Sequence, residues 1–132
     1  MCLTRPDAKP TRKSGVGYKS VSKRADGVYE CYDHTPNAGS VRYPLNEWVT
    51  DPKEDEIGYR DNAYPAGFHI MLKRSEAIRI LASSRHWHSP KDVVLIKVRF
   101  RQVVATQTKT TDYTYGPQVV AREVMNLGEV VG

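Results

Sequence analysis

Residues 92–105 decide the fold, and they run Asp92-Val-Val-Leu-Ile-Lys-Val-Arg-Phe-Arg-Gln-Val-Val-Ala105. Within this stretch, an apolar set of side chains alternates with a set that becomes increasingly basic. The apolar set is Val94, Ile96, Val98 and Phe100, and the other set is Leu95, Lys97, Arg99 and Arg101. A period of two residues is typical of a β-strand whose two faces meet different surroundings. We therefore predict a long strand with one apolar face and one basic face.

The segments on either side of this strand predict further elements. Before it, residues 66–72 predict a buried strand, and residues 73–84 predict a helix. The apolar residues that share one face of this helix are Ala77, Ile78, Leu81 and Ala82. After it, residues 117–125 predict a final strand, which residues 127–131 either continue or follow with a short extra strand.

The N-terminal half adds a hairpin and completes the fold prediction. Two segments rich in β-forming residues, 16–22 and 28–32, flank Asp26-Gly27, a dipeptide typical of hairpin turns. Strands and helices do not alternate regularly enough for a doubly wound parallel sheet. The sequence thus predicts an α+β fold, with a mostly antiparallel β-sheet of about six strands and one main α-helix packed on one face.

Composition predicts one domain with a basic arm. The 132 residues include 20 Lys and Arg against 15 Asp and Glu, a formal net charge of +5. Residues 1–15 are basic, contain two prolines and have almost no apolar side chain, so we expect a flexible basic arm before a single α+β domain at residues 16–132. A basic surface favours polyanions, acidic proteins or anionic small ligands as partners.

The sequence also bears on the compartment. It has no run of eighteen apolar residues and no secretory signal, so we expect a cytoplasmic protein without membrane contact. Cys2 and Cys31 are too few for a disulfide framework, and we expect free thiols, with a single disulfide as the alternative. If Met1 is removed, Cys2 is either an N-terminal nucleophile or a residue of a mobile tail.

Lys97, Arg99 and Arg101 form the first candidate ligand-binding set. Because they occupy alternate positions of the predicted strand, their three positive charges point the same way and span about 13 Å. That spacing suits a phosphate-bearing ligand or an acidic partner. In the alternative, these side chains pair with Glu123 on the last strand or with other acids on a solvated face.

Histidines supply two further candidates. His69 is either a functional base or a half-buried, hydrogen-bonded residue on the opposite side of the sheet from Phe68 and Ile70. His86 and His88 are spaced to reach one metal ion, but no other His or Cys has a standard zinc spacing, so we predict no metal site. Trp87 between them either stacks on a nucleic-acid base or belongs to an exposed aromatic loop.

Tyrosines supply the last candidates. The chain has eight tyrosines and two phenylalanines, and Tyr113 and Tyr115 lie in a Thr-rich connector where they are candidates to contact a ligand or partner. The alternative is packing at the edge of the core. The sequence contains no P-loop, no glycine-rich dinucleotide motif, no nucleophile elbow and no zinc-protease motif, so we predict no cofactor.

Several short motifs resemble those of small, mostly uncharacterised phage and prophage proteins. These motifs are Met1-Cys2, Tyr18-Lys19, Gly67-Phe68-His69, Glu76-Ala77, the strand at 94–98 and Gly128-Glu129. The resemblance extends over most of the chain and implies a phage origin, with the host cytoplasm as the location. It also implies an accessory role, such as occupying a host defence component or its nucleotide signal.

A second resemblance is to the ADP-ribosyltransferase-like fold. Lys19 matches the family's early basic position, and Glu123 or Glu129 matches its late glutamate. The resemblance implies a pocket for a nicotinamide dinucleotide, in which the late carboxylate stabilises an oxocarbenium-like state. The family's central Ser-containing motif is missing here, and Lys19 stands where the family usually has His or Arg.

These patterns favour a binding protein over an enzyme. We expect it to hold an anionic partner, which is a nucleotide-like ligand, a nucleic acid or an acidic host protein. The expected ligand-binding residues are Lys97, Arg99, Arg101, Trp87, Tyr113, Tyr115 and His69. The alternatives are an ADP-ribosyltransferase-like enzyme and a structural virion component that forms a homo-oligomer.

Overall fold

The fold is α+β, as the sequence predicts. The computed structural model describes Leu3 and residues 6–30, 41–52, 56–57, 63–87, 93–109 and 116–130, with the backbone alone at 56–57 and 83–87. In chain order, its elements are β1 (Ser14–Lys23), β2 (Tyr29–Glu30), β3 (Trp48–Thr50), β4 (Glu56–Ile57), β5 (Tyr64–Pro65), β6 (Phe68–Met71), α1 (Arg74–Trp87), β7 (Val93–Gln107) and β8 (Gln118–Glu129).

Strand pairing confirms the two predicted local features. β8 pairs antiparallel with β7 from Gln118, opposite Gln107, to Glu129, opposite Ile96, and it continues to Glu129 rather than giving way to an extra strand. β1 and β2 form an antiparallel hairpin, in which Gly27 adopts a φ of 86°. Glycine suits that position because it adopts a positive φ without steric cost.

The main sheet closes on itself. β1 pairs with β7 over residues 14–22 and meets β6 at a single pair, Tyr18 opposite Met71. β8 pairs with both β6 and β7, so β1, β7, β8 and β6 form a closed circuit of antiparallel neighbours. β2 extends this circuit from β1 and β3 extends it from β8, whereas β4 and β5 pair separately.

The main apolar core lies inside the circuit. Its fully buried members include Val21, Phe68, Ile70, Ile96, Val98, Phe100, Val119, Ala121 and Val124. β1 comes close to β6 here, since a Cβ on Gly17 would lie 2.4 Å from the Ile70 Cγ2 atom and 2.7 Å from the Met71 carbonyl oxygen. Only glycine at position 17 permits that approach.

The helix covers one end of the outer face of β7. Its buried residues Ala77, Ile80 and Leu81 follow the i, i+3, i+4 spacing and pack on Val93 and Leu95. The predicted face differs in detail, because Ile80 takes the buried position expected for Ala82, which is exposed. The helix also continues to Trp87, beyond the predicted end near Ser84. No helix in the described part of the chain is long and apolar enough to cross a membrane.

The N-terminal arm lies against the sheet. Leu3 is buried, and its backbone N–H donates to the Tyr64 hydroxyl at 2.8 Å. The Asp7 N–H donates to the Thr106 carbonyl at 2.8 Å, while the Thr106 hydroxyl donates to the Asp7 carboxylate at 2.6 Å. These contacts use one apolar side chain and one carboxylate, and the composition of the arm does not reveal their partners. β1 begins at Ser14, inside the predicted arm.

Candidate functional site

Three positively charged side chains project from the outer face of β7 beyond the end of the helix. Lys97, Arg99 and Arg101 are all exposed and occupy alternate positions, as the strand pattern predicts. The residues between them, Val98 and Phe100, are fully buried in the main core. We call Lys97, Arg99 and Arg101 the basic face.

The strands on either side of β7 surround the basic face with aromatic and apolar side chains. On β1, Tyr18 lies opposite Lys97 and Val16 lies opposite Arg99. On β8, Met125 lies opposite Arg99 from the other side. Val16 is 42% exposed, which is unusual for valine in a strand that pairs on a closed sheet. Accessible apolar surface therefore lies directly beside the positive charges of the basic face.

Arg101 is held in a fixed orientation. Its Nε–H donates to the Glu123 carboxylate on β8, and its guanidinium carbon lies 3.8 Å from the centroid of the Trp48 ring on β3. The ion pair and the stacking contact together fix the plane of the guanidinium. The Arg101 side chain nevertheless remains 47% exposed. The pairing with Glu123 is the alternative that the sequence left open for this residue.

Among the residues that the structure describes, Lys97 and Arg99 have no such partner. Within the described ranges, no carboxylate lies within ion-pair distance of either side chain. Glu123 offsets the charge of Arg101 alone, so the basic face keeps a net positive charge. Unpaired exposed cations on neighbouring positions repel one another weakly and attract anions.

Trp48 is a residue of the candidate site that sequence reasoning missed. It belongs to a three-residue strand and reaches Arg101 across β8, two strands away. The sequence does contain one signal, which is a tryptophan in a short extended segment after Pro44. Such a side chain usually packs against apolar side chains or stacks on a cation. That signal does not identify the partner, because cross-strand contacts depend on strand order.

His69 lies on the opposite side of β6 from the core residues Phe68 and Ile70. Its Nε2 shares a hydrogen bond with the Tyr64 hydroxyl at 2.9 Å, and that hydroxyl accepts another from the Leu3 N–H. Burial lowers the pKa of His69 from 6.5 to about 3, and the positive charge of Lys19 contributes to the shift. His69 is therefore a neutral, hydrogen-bonded residue that links the arm to the sheet. This is the arrangement that we considered as the alternative to a functional base.

The residues matched to the ADP-ribosyltransferase-like fold have separate partners. The Lys19 Nζ donates to the His69 carbonyl at 3.3 Å. Glu129 accepts from the Lys23 Nζ at 2.9 Å and from the Tyr29 hydroxyl at 3.2 Å, and burial is the main cause that raises the pKa of Tyr29. The other late glutamate, Glu123, holds Arg101. These contacts make each glutamate part of an ion pair on the sheet.

Several predicted site residues lie outside the described part of the chain. Tyr113 and Tyr115 belong to this group, as do His88 and Cys2. Trp87 is the last residue of α1, and its side chain also lies outside the described residues. Among the residues that are described, no group of three or more His, Cys, Asp or Glu is arranged to hold a metal ion.

Comparisons with known proteins identified no relative of this chain. Searches against protein-family models, curated proteins and solved structures returned no match. The functional argument therefore depends on the geometry of the basic face.

Proposed function

We propose that this chain is a binding protein that holds an anionic partner on the basic face. The observation that supports this proposal most strongly is that Lys97 and Arg99 are exposed without a carboxylate partner among the described residues. Side chains with no internal partner contribute little to folding, so a cationic row of this kind is best explained by an external anion.

The scaffold beneath the basic face suits this function. β7 pairs with β1 on one side and with β8 on the other, so the backbone that carries the charges is fixed along both edges. Alternate residues of a strand lie about 6.7 Å apart, which spaces the three side chains evenly over about 13 Å. Rigid placement reduces the entropy lost when a ligand binds.

The wider biological role that we propose is that of a phage accessory protein. The short motifs shared with small phage proteins support this part of the proposal. The anionic partner would then be a host component, in line with a role against host defence. The basic charge of the face argues against mimicry of DNA, because a DNA mimic is acidic.

The proposal is tested by measuring how salt affects binding to a simple polyanion. The probe is a fluorescein-labelled heparin oligosaccharide, titrated between 50 and 200 mM salt, conditions chosen because counterion release dominates there. Replacing Lys97 and Arg99 together by Gln should weaken binding about tenfold or more. The double variant should also flatten the dependence of affinity on salt, since two fewer cations release counterions.

A matched control separates the basic face from general net charge. Lys73 and Lys109 are also exposed and lie outside the basic face, Lys73 after the end of β6 and Lys109 after the end of β7. Replacing both by Gln removes the same charge, and the affinity should change by less than about twofold. Equal losses in the two double variants, or binding that ignores salt, would show that the basic face is not the site.

A further inference from the structure

We infer that the anionic partner is a single-stranded nucleic acid, with a base stacked on the outer surface of the Arg101 guanidinium and phosphates held by Arg99 and Lys97. This inference rests on the proposed function, because it names the partner of the same face. The observation that supports it is that the Arg101 side chain stacks on the Trp48 ring and still remains partly exposed to solvent.

The guanidinium of Arg101 is built as a stacking platform. The Trp48 ring lies 3.8 Å beneath it, and Glu123 occupies its Nε–H. Nearly half of the side chain remains exposed, which leaves accessible surface for a ligand on the side away from Trp48 to cover. Unpaired bases commonly stack on arginine planes, and each stacked base adds substantial affinity regardless of sequence. A guanidinium held on two sides loses little further freedom when a base covers the third.

The remaining two positive charges suit a phosphate backbone. Arg99 and Lys97 follow Arg101 at alternate positions along one line, and no described carboxylate neutralises either of them. An extended single strand presents a phosphate for each base, so a base at Arg101 brings its neighbouring phosphates over this line. Val16 and Met125 beside Arg99 provide apolar surface for sugars and base edges.

The same geometry disfavours a duplex and an acidic protein. A duplex hides its base surfaces, and its major groove admits a protruding helix or ribbon rather than the middle of a sheet. An acidic peptide has no planar surface to cover Arg101. It also cannot add to β7 as a strand, because β7 is paired on both edges.

The deciding experiment compares oligonucleotides that differ only in their bases. Fluorescence anisotropy is measured at 50 mM salt with a labelled deoxyuridine ten-mer and with a ten-mer of abasic sites that has the same phosphates. The full-length protein should bind the deoxyuridine ten-mer about tenfold more tightly or better. Arg101→Lys, which keeps the charge and loses the plane, should remove this preference and leave the abasic affinity unchanged.

Two further variants keep the result interpretable. Glu123→Gln retains Arg101 and loosens its orientation, so it should reduce the preference for bases even if Arg101→Lys is unstable. Arg99→Gln should weaken binding of both ten-mers equally and lower the slope of log affinity against log salt by about 0.7. A uridine ten-mer made of ribose distinguishes RNA from DNA as the source of the strand.

The outcomes separate this inference from the proposed function. Equal, salt-dependent binding of the deoxyuridine and abasic ten-mers would support the proposed binding of an anionic partner. It would contradict the inference that a base stacks on Arg101. Tighter binding of a ten-base-pair duplex or of polyglutamate would contradict the inference that the partner is a single-stranded nucleic acid. The partner would then be a duplex or an acidic protein, respectively. No binding of any of these polyanions would overturn both.

Discussion

The two halves of the outer face of β7 differ in chemistry although they belong to one strand. In the half under the helix, Val93 and Leu95 are buried against α1. In the half beyond the helix, Lys97, Arg99 and Arg101 are exposed. The inner face of the strand stays apolar through both halves. The change from apolar to basic residues therefore coincides with the end of the helix cover and not with any change in the strand.

Under the proposed function, this difference separates stability from recognition within a single element. The covered half joins the helix to the sheet and is required for the fold. In the bare half, Trp48 and Glu123 contact Arg101, whereas Lys97 and Arg99 have no carboxylate partner in the described ranges, so the fold does not depend on the charge of these two side chains. The proposed anionic partner would then account for their charge, and each half can be changed to test the distinction.

The largest expected effect is in the covered half. Leu95→Ala should lower the free energy of unfolding by about 2–5 kcal/mol, because it leaves a cavity between α1 and β7. Urea denaturation monitored by circular dichroism measures this loss. Lys97→Ala, two residues further along the same face, is the matched control and should change it by less than about 0.5 kcal/mol. Similar losses for both variants would mean that the two halves are not distinct.

Acid should produce the next largest effect, again through a residue enclosed by the fold. The unfolded chain protonates His69 near pH 6.5, whereas the folded protein resists protonation until about pH 3. The unfolded state therefore binds more protons in this window, and stability falls as the pH drops through it. From this residue alone, the loss at pH 5 should be about 2 kcal/mol.

The acid effect is isolated with a variant that does not titrate there. Unfolding by urea is compared at pH 7, 6 and 5 for the parent protein and for His69→Gln. The variant should start less stable, since it disrupts the bond with Tyr64, and should lose less stability between pH 7 and pH 5. If the free energy of unfolding falls equally in the two proteins between pH 7 and pH 5, the pH dependence does not come from His69.

The smallest effect on stability is expected in the bare half. Replacing Lys97 and Arg99 together by Leu should change the free energy of unfolding by less than about 0.5 kcal/mol per residue. The same double variant should lose its salt-dependent affinity for the heparin probe. A large destabilisation would contradict the view that the fold does not depend on these side chains, and urea denaturation would detect it.

Local sequence patterns predicted the elements but not their closure. The alternation in residues 92–105, the helical spacing after Lys73 and the Asp26-Gly27 turn each reflect short-range physics that one segment contains. The closed circuit was not predictable, because the role of Gly17 depends on how closely β6 approaches it. Docking of the arm depends in the same way on Tyr64 and Thr106, which are distant in sequence.

The candidate site was predictable to a similar extent. The period of two predicts Lys97, Arg99 and Arg101 on one side of a strand, and pairing with Glu123 is one of the alternatives that the sequence leaves open. The contact with Trp48 could not be predicted, since it depends on β3 lying beyond β8. Sequence alone also could not show that His69 forms a hydrogen bond with Tyr64, because that contact depends on how β5 and β6 meet.

The closed circuit also affects how the chain is completed during synthesis. β1 is made long before β7, with which it pairs over nearly all of its length, and β8 follows later still. A growing chain must therefore keep β1 without its partner while most of the protein is translated. Polar side chains keep β1 hydrophilic until β7 has been synthesised. They are Ser14, Ser20 and Ser22 on one side of the strand and Lys19 and Lys23 on the other.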